Sequence, residues 1–283
     1  MSSSLPSRTF GQRSHTRQSG VSDDIDFEIQ GSELQFVEIE LDPGESVIAE
    51  AGAMVWKEAP ISMETIFGDG SKTQSSGVMG SLLGAGKRLI TGESLFTTLY
   101  TNNGHSKARV AFSAPVPGCI VPLKLSEHGG MLICQKDSFL SAAKGVSLGI
   151  HFQKKIMTGL FGGEGFIMQK LTGDGWVFVQ FGGTVIEREL AAGEILHVDT
   201  GCLAAYETSV DFDLITAGGV KSWLFGGEGV FFGQLTGPGK VWIQSLPFSR
   251  LVGRIVASAG GTGPSSGEGS LLGGLGDLIG GNR

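Results

Sequence analysis

Gly163-Glu-Gly-Phe-Ile-Met-Gln-Lys-Leu-Thr172 and Gly227-Glu-Gly-Val-Phe-Phe-Gly-Gln-Leu-Thr236 are two renderings of one pattern. A third, Gly92-Glu-Ser-Leu-Phe-Thr-Thr-Leu-Tyr-Thr101, keeps the Gly-Glu opening and the threonine eight residues after the glutamate. Three residues beyond each threonine comes a glycine: Gly104, Gly175 and Gly239. Working backwards, alternating runs begin at Ile61, Val146 and Val210, and nine residues before them stand Gly52, Asp137 and Gly201. Eight residues earlier again are Gly44, Gly129 and Gly193, each in a turn-like stretch. The first copy alone is longer, by 14 residues in the Gly68–Arg88 region. A period of this kind is the mark of a repeat architecture. The runs inside each copy alternate apolar and polar residues and are bounded by Gly, Asp, Asn or Pro, as strands are. The spacing predicts an all-β fold of three pseudo-threefold repeats of short strands, sharing one core because a single short-stranded unit buries too little alone.

Composition agrees. Glycine contributes 47 of 283 residues and charged residues 17%, against usual shares of roughly 7% and ~25%. The 40% hydrophobic share with 17 Phe is too apolar for a disordered chain. No run approaches the ~20 apolar residues of a membrane-spanning helix. A net charge of −7 and an acidic pI near 5.3 argue against nucleic acid as a partner. Cys119, Cys134 and Cys202 are widely spaced, without a CxxC pair, and read as reduced, partly buried thiols.

Residues 1–24 carry seven serines, three arginines and no acidic residue before Asp23, and read as a disordered extension. Residues 25–252 form the triplicated domain, with repeats at about 34–125, 126–189 and 190–252. Residues 253–283 are a Gly-rich tail. Its Leu271, Leu272, Leu275, Leu278 and Ile279 fall on one helical face.

No residue set points to catalysis. A metal-dependent β-barrel enzyme needs clustered histidines with a carboxylate, and His15, His105, His128, His151 and His197 are scattered. No G-x-S-x-G elbow is present. Gly86-Lys87 invites a phosphate-loop reading, but Ser81 stands where the first glycine belongs and Arg88 where Ser or Thr must hold Mg²⁺. Glu93, Glu164 and Glu228 could ring a pseudo-axis, and the favoured role is architectural: each carboxylate accepts backbone N–H bonds at a repeat interface. The insertion, with Leu82 and Leu83, and the tail, with Leu271, Leu272 and Leu275, are the candidate binding segments. Repeats that already close a core leave such added apolar residues to be covered by something else.

Gly31-Ser-Glu-Leu-Gln35, Ala49-Glu-Ala-Gly-Ala-Met54, Gly92-Glu-Ser-Leu-Phe96, Phe161-Gly-Gly-Glu-Gly-Phe166, Asp199-Thr-Gly-Cys-Leu203 and Trp242-Ile-Gln-Ser-Leu-Pro-Phe248 resemble, in this order, the family called "altered inheritance of mitochondria, number twenty-four". The resemblance implies a triplicated β fold of the double-stranded β-helix class, similar to the tryptophan-responsive RNA-binding attenuator protein. It implies many bacterial members of unassigned role, a fungal inner-membrane role supporting membrane-organising complexes, and no catalytic residues. The expectation is therefore a non-enzymatic binding or scaffold protein without a cofactor. A protein partner or self-association is expected, with peripheral membrane association as a further possibility and no nucleic acid. The expected setting is the bacterial cytoplasm, or the mitochondrion if residues 1–24 are a transit peptide. The alternative is a small-ligand or metal-binding β protein with a pocket between repeats.

Overall fold

The computed structural model describes residues 22–67, 96–154, 166–216 and 231–259. Nineteen strands and one helix are described, together with two 3-10 turns. After β1 (Asp26–Gln30) come β2 (Phe36–Leu41), β3 (Ser46–Glu50), β4 (Met54–Lys57), β5 (Ile61–Phe67), β6 (Phe96–Asn102) and β7 (Ala108–Ser113). The next six are β8 (Gly118–Lys124), β9 (Met131–Gln135), β10 (Phe139–Ala143), β11 (Ser147–Lys154), β12 (Phe166–Thr172) and β13 (Trp176–Gly182). The last six are β14 (Val185–Leu190), β15 (Ile195–Asp199), β16 (Leu203–Glu207), β17 (Asp211–Thr216), β18 (Phe231–Thr236) and β19 (Gly239–Gln244), followed by α1 (Phe248–Ala259). The fold is all-β, and the strands pair antiparallel.

They form four sheets. Two have six strands, in the orders β5-β6-β3-β10-β13-β8 and β11-β12-β9-β16-β19-β14. The others are β1-β2-β7-β4 and β15-β18-β17. In the middle of each six-stranded sheet two distant stretches meet: β3 with β10, and β9 with β16. We call these the first and second seams. Three apolar clusters fill the interior. One lies under β2 and β7 around Phe27, Tyr100 and Phe112. A second runs through both seams, from Ile48 through Phe139 and Phe181 to Trp242. The third gathers Phe166, Tyr206 and Val241, with Phe212 packed against it.

The turn glycines earn their positions. Gly44, Gly129 and Gly193 have φ of 87°, 68° and 76°, a left-handed backbone that a residue with a Cβ adopts only at a cost. In the first and third of these turns a glutamate folds back in the same way: the Asp42 N–H donates to Glu45 (2.8 Å) and the Ala191 N–H to Glu194 (2.9 Å). Gly52 is also left-handed, at φ 90°, with open space around it. Gly201 adopts no positive φ, and Asp137 lies in a 3-10 turn.

The helix is a difference from the sequence reading, which expected no helical element before the tail. Phe248, Leu251, Val252 and Ile255 recur at i, i+3, i+4 and i+7, a helical period. Gly253 and the polar residues between them mask that signal.

Candidate functional site

The residues singled out from sequence lie outside the described residues: Glu93, Glu164 and Glu228, Leu82 and Leu83, and Leu271, Leu272 and Leu275. The described strands nevertheless frame the three glutamates. Glu93 falls in the connection between paired β5 and β6, Glu164 between paired β11 and β12, and Glu228 between paired β17 and β18.

What the fold brings together is at the seams, and sequence reasoning missed it. Glu50 ends β3 on the first seam, largely buried. Burial, reinforced by the negative charge of Asp137 and only partly offset by Lys136, pushes its carboxyl up to about 7. Beside it the Gln180 amide donates to the Asp137 carbonyl at 2.8 Å. The second seam repeats this motif with neutral groups. Gln244 donates to the Gly201 carbonyl (3.0 Å) and to the Gln135 side-chain carbonyl (3.3 Å). Gln135 ends β9 as Glu50 ends β3. The Gln244 carbonyl accepts the Gly182 N–H at 2.9 Å, three residues before Val185, its partner across the strands. Counting three residues before Ile120, the partner of Gln180, reaches Pro117, which has no N–H. The buried Gln180 carbonyl oxygen accordingly finds no partner.

A His–Glu contact ties the second seam at its other end. His128 Nδ1 lies 2.8 Å from Glu207, whose second oxygen accepts the Lys240 N–H at 2.9 Å. The His128 ring stands edge-on to Trp242, 5.6 Å between centroids, and the Trp242 indole donates to Glu187 at 3.0 Å. These contacts join β16, β19 and the turn before β9, so their evident work is to hold strands together.

On the four-stranded sheet, Lys107 and Arg109 on the β7 side grip Glu38 and Glu40 of β2 at 2.6–3.1 Å. Burial alone would raise Glu40, but hydrogen bonds from Lys107 and Arg109 outweigh it and hold its carboxyl below the ordinary range. Cys119, Cys134 and Cys202 are not joined in disulfides, and burial pushes Cys134 up to about 12, far from a reactive thiolate. Among the described residues no three His, Cys, Asp or Glu side chains cluster as a metal site. No described helix is long and apolar enough to cross a membrane.

Large apolar groups are exposed at several places, Leu34 most of all, with Met63 and Ile186 among them. Val55 and Trp56 are on β4 and Ile195 on β15, each strand the last in its sheet. Phe248, Val252 and Ile255 form an exposed face on α1, which Arg250 ties to Asp199 at 3.2 Å.

Fold and site together define an all-β protein of edge-joined antiparallel sheets whose polar clusters serve the joints. Its sequence matches the model of the mitochondrial biogenesis AIM24 family over residues 27–246, and the chain belongs to that family. It is 30% identical over 227 residues to an uncharacterised protein of Streptococcus pyogenes serotype M6, covering 78% of this chain and 86% of that one. A crystal structure of a Streptococcus pyogenes protein has the same fold, with a TM-score of 0.66 at 24% identity over 83% of this chain and 99% of the other.

Proposed function

We propose that this protein is a non-enzymatic binding scaffold: three copies of one six-stranded unit, with a C-terminal arm that engages a protein partner. The units run Phe36–Ser113, Gly118–Gly182 and Val185–Gln244, somewhat offset from the bounds drawn on sequence. Each pairs its first strand with its sixth, its second with its fifth, its third with its sixth and its fourth with its fifth. This regularity favours the triplicated, attenuator-protein-like reading over an unrelated string of hairpins.

The observation that carries the binding role is α1. Its Phe248, Val252 and Ile255 present apolar surface to solvent, and the chain continues into a tail bearing Leu271, Leu272 and Leu275. A helix with an uncovered apolar stripe is stabilised by whatever covers it. On this reading the arm serves a membrane-associated assembly and the body lies in the bacterial cytoplasm, a setting that the family resemblance supports. The test is recovery of partners by the tagged full-length chain, against a Val252→Asp/Ile255→Asp variant and a chain ending at residue 259. Both should keep the thermal midpoint and lose partners. Full recovery by both would refute the arm. A stoichiometric metal or metabolite in the native mass spectrum would replace this reading with the ligand-binding one.

A further inference from the structure

The two seams have the same register, and that register has a third, unfilled instance. In the first seam Ser141, Ala142 and Ala143 face Ala49, Ile48 and Val47. In the second, Ala205, Tyr206 and Glu207 face Cys134, Ile133 and Leu132. On one side of each seam the strand carries a bulge that skips one residue, Leu140 in β10 and Ala204 in β16. β4 carries the same bulge, skipping Val55 between Met54 and Trp56. On the other side the strand begins opposite a threonine: Ser46 opposite Thr101 and Met131 opposite Thr172. β15 begins the same way, with Ile195 opposite Thr236. So β4 is built as a right half of a seam and β15 as a left half, yet the chain pairs neither with the other.

Burial follows the same division. Leu140 and Ala204 are fully buried at the seams, whereas Val55 at the matching place is 52% exposed. Met131 is partly buried and Ser46 buried, whereas Ile195 is 57% exposed. The sheets complete the pattern. Each six-stranded sheet is two three-stranded halves joined at a seam. The strands β2-β7-β4 and β15-β18-β17 are the same two halves, left apart at opposite ends of the chain.

We infer that these halves join between molecules: β15 of one copy pairs antiparallel with β4 of a second, Trp56 opposite Val198, Lys57 opposite His197 and Glu58 opposite Leu196. The inference rests on the three-unit reading above. A bare strand edge is a template for such pairing, and Trp is the residue type that most often anchors an interface. The polar Lys57–His197 pair stands where the seams have Ala142–Ile48 and Tyr206–Ile133, which makes this joint weaker than either seam and dependent on concentration. The contact is heterologous, head to tail, so it closes into a ring or runs on as a filament.

The test uses the full-length chain in sedimentation velocity over a wide concentration range, with far-UV circular dichroism to establish that each variant is folded. The wild type should assemble beyond a monomer. Trp56→Glu and Ile195→Glu should each raise the dissociation constant at least tenfold. A mixture of the two variants should give a dimer and nothing larger, because each retains one competent end. A wild type that stays monomeric overturns the inference, as does assembly that both variants retain. Assembly that both variants lose without forming the mixed dimer also overturns it. Partner recovery through the α1 arm should be unaffected in Trp56→Glu, which separates failure of this joint from failure of the arm.

Discussion

The two seams share one register, and one difference between them stands out: the first places Glu50 where the second places Gln135. The backbone pairing is the same, and a glutamine reaches across in both, Gln180 in one and Gln244 in the other. An amide at that place is satisfied by a neutral hydrogen bond at any pH. A carboxyl there loses hydration and faces Asp137, so it holds its proton until about neutrality. The fold tolerates either group, and only the first makes stability depend on pH.

The largest effect should come from breaking a seam outright. Leu140→Asp places a charge in the buried first seam and should cost about 4 kcal/mol or more. Val55→Asp, at the matching place on the open β4, should cost under about 1 kcal/mol. Chemical denaturation of both variants checks the contrast, and equal losses would mean that β4 is covered within the chain.

Glu50→Gln sharpens the comparison. The folded chain binds the Glu50 proton more tightly than the unfolded chain, whose carboxyl titrates near 4.5. The stabilising proton is therefore present at pH 4 and lost as pH rises to about 7. Glu50→Gln should leave stability unchanged near pH 4 and raise it by about 1–3 kcal/mol at pH 8. The reverse change, Gln135→Glu, should introduce the same alkaline loss into the second seam. Denaturation midpoints at the two pH values decide both, and parallel pH profiles for wild type and Glu50→Gln would remove Glu50 from the account.

The smallest effect concerns two glycines in matching turns, Gly52 two residues after Glu50 and Gly201 two residues after Asp199. Gly52→Val forces a branched side chain into a left-handed backbone and should cost about 1–3 kcal/mol. Gly201→Val meets ordinary backbone, with Asp199 at 3.2 Å and Pro247 at 3.5 Å from an added Cβ, and should cost less. A thermal melt of each measures the order.

Strands and turns were legible in the sequence because local physics writes them there. Gly44, Gly129 and Gly193 each answer to a positive φ, and the alternating runs answer to half-buried pleats. The helix was written as well, in the spacing of Phe248, Val252 and Ile255, but Gly253 and a glycine-rich sequel obscured it. The seams were not legible. Glu50 acquires its character from burial at the joint and from Asp137, 87 residues away in the chain, and only strand pairing reveals that setting. Likewise nothing in Met54-Val-Trp-Lys57 distinguishes a bare edge from a covered one. That difference is set by whether another strand follows in space.

The first and last strands of each unit lie side by side, as β2 does with β7, β8 with β13 and β14 with β19. Each unit therefore ends beside where it began, and the links to the next are short: residues 114–117 and then 183–184. On the three-unit reading, tandem duplication of such a segment needs no new connection across the molecule. It adds a seam for every unit beyond the first and never removes the two bare ends. Chain length could grow by whole copies indefinitely, and the stickiness of the termini would be inherited unchanged at every step.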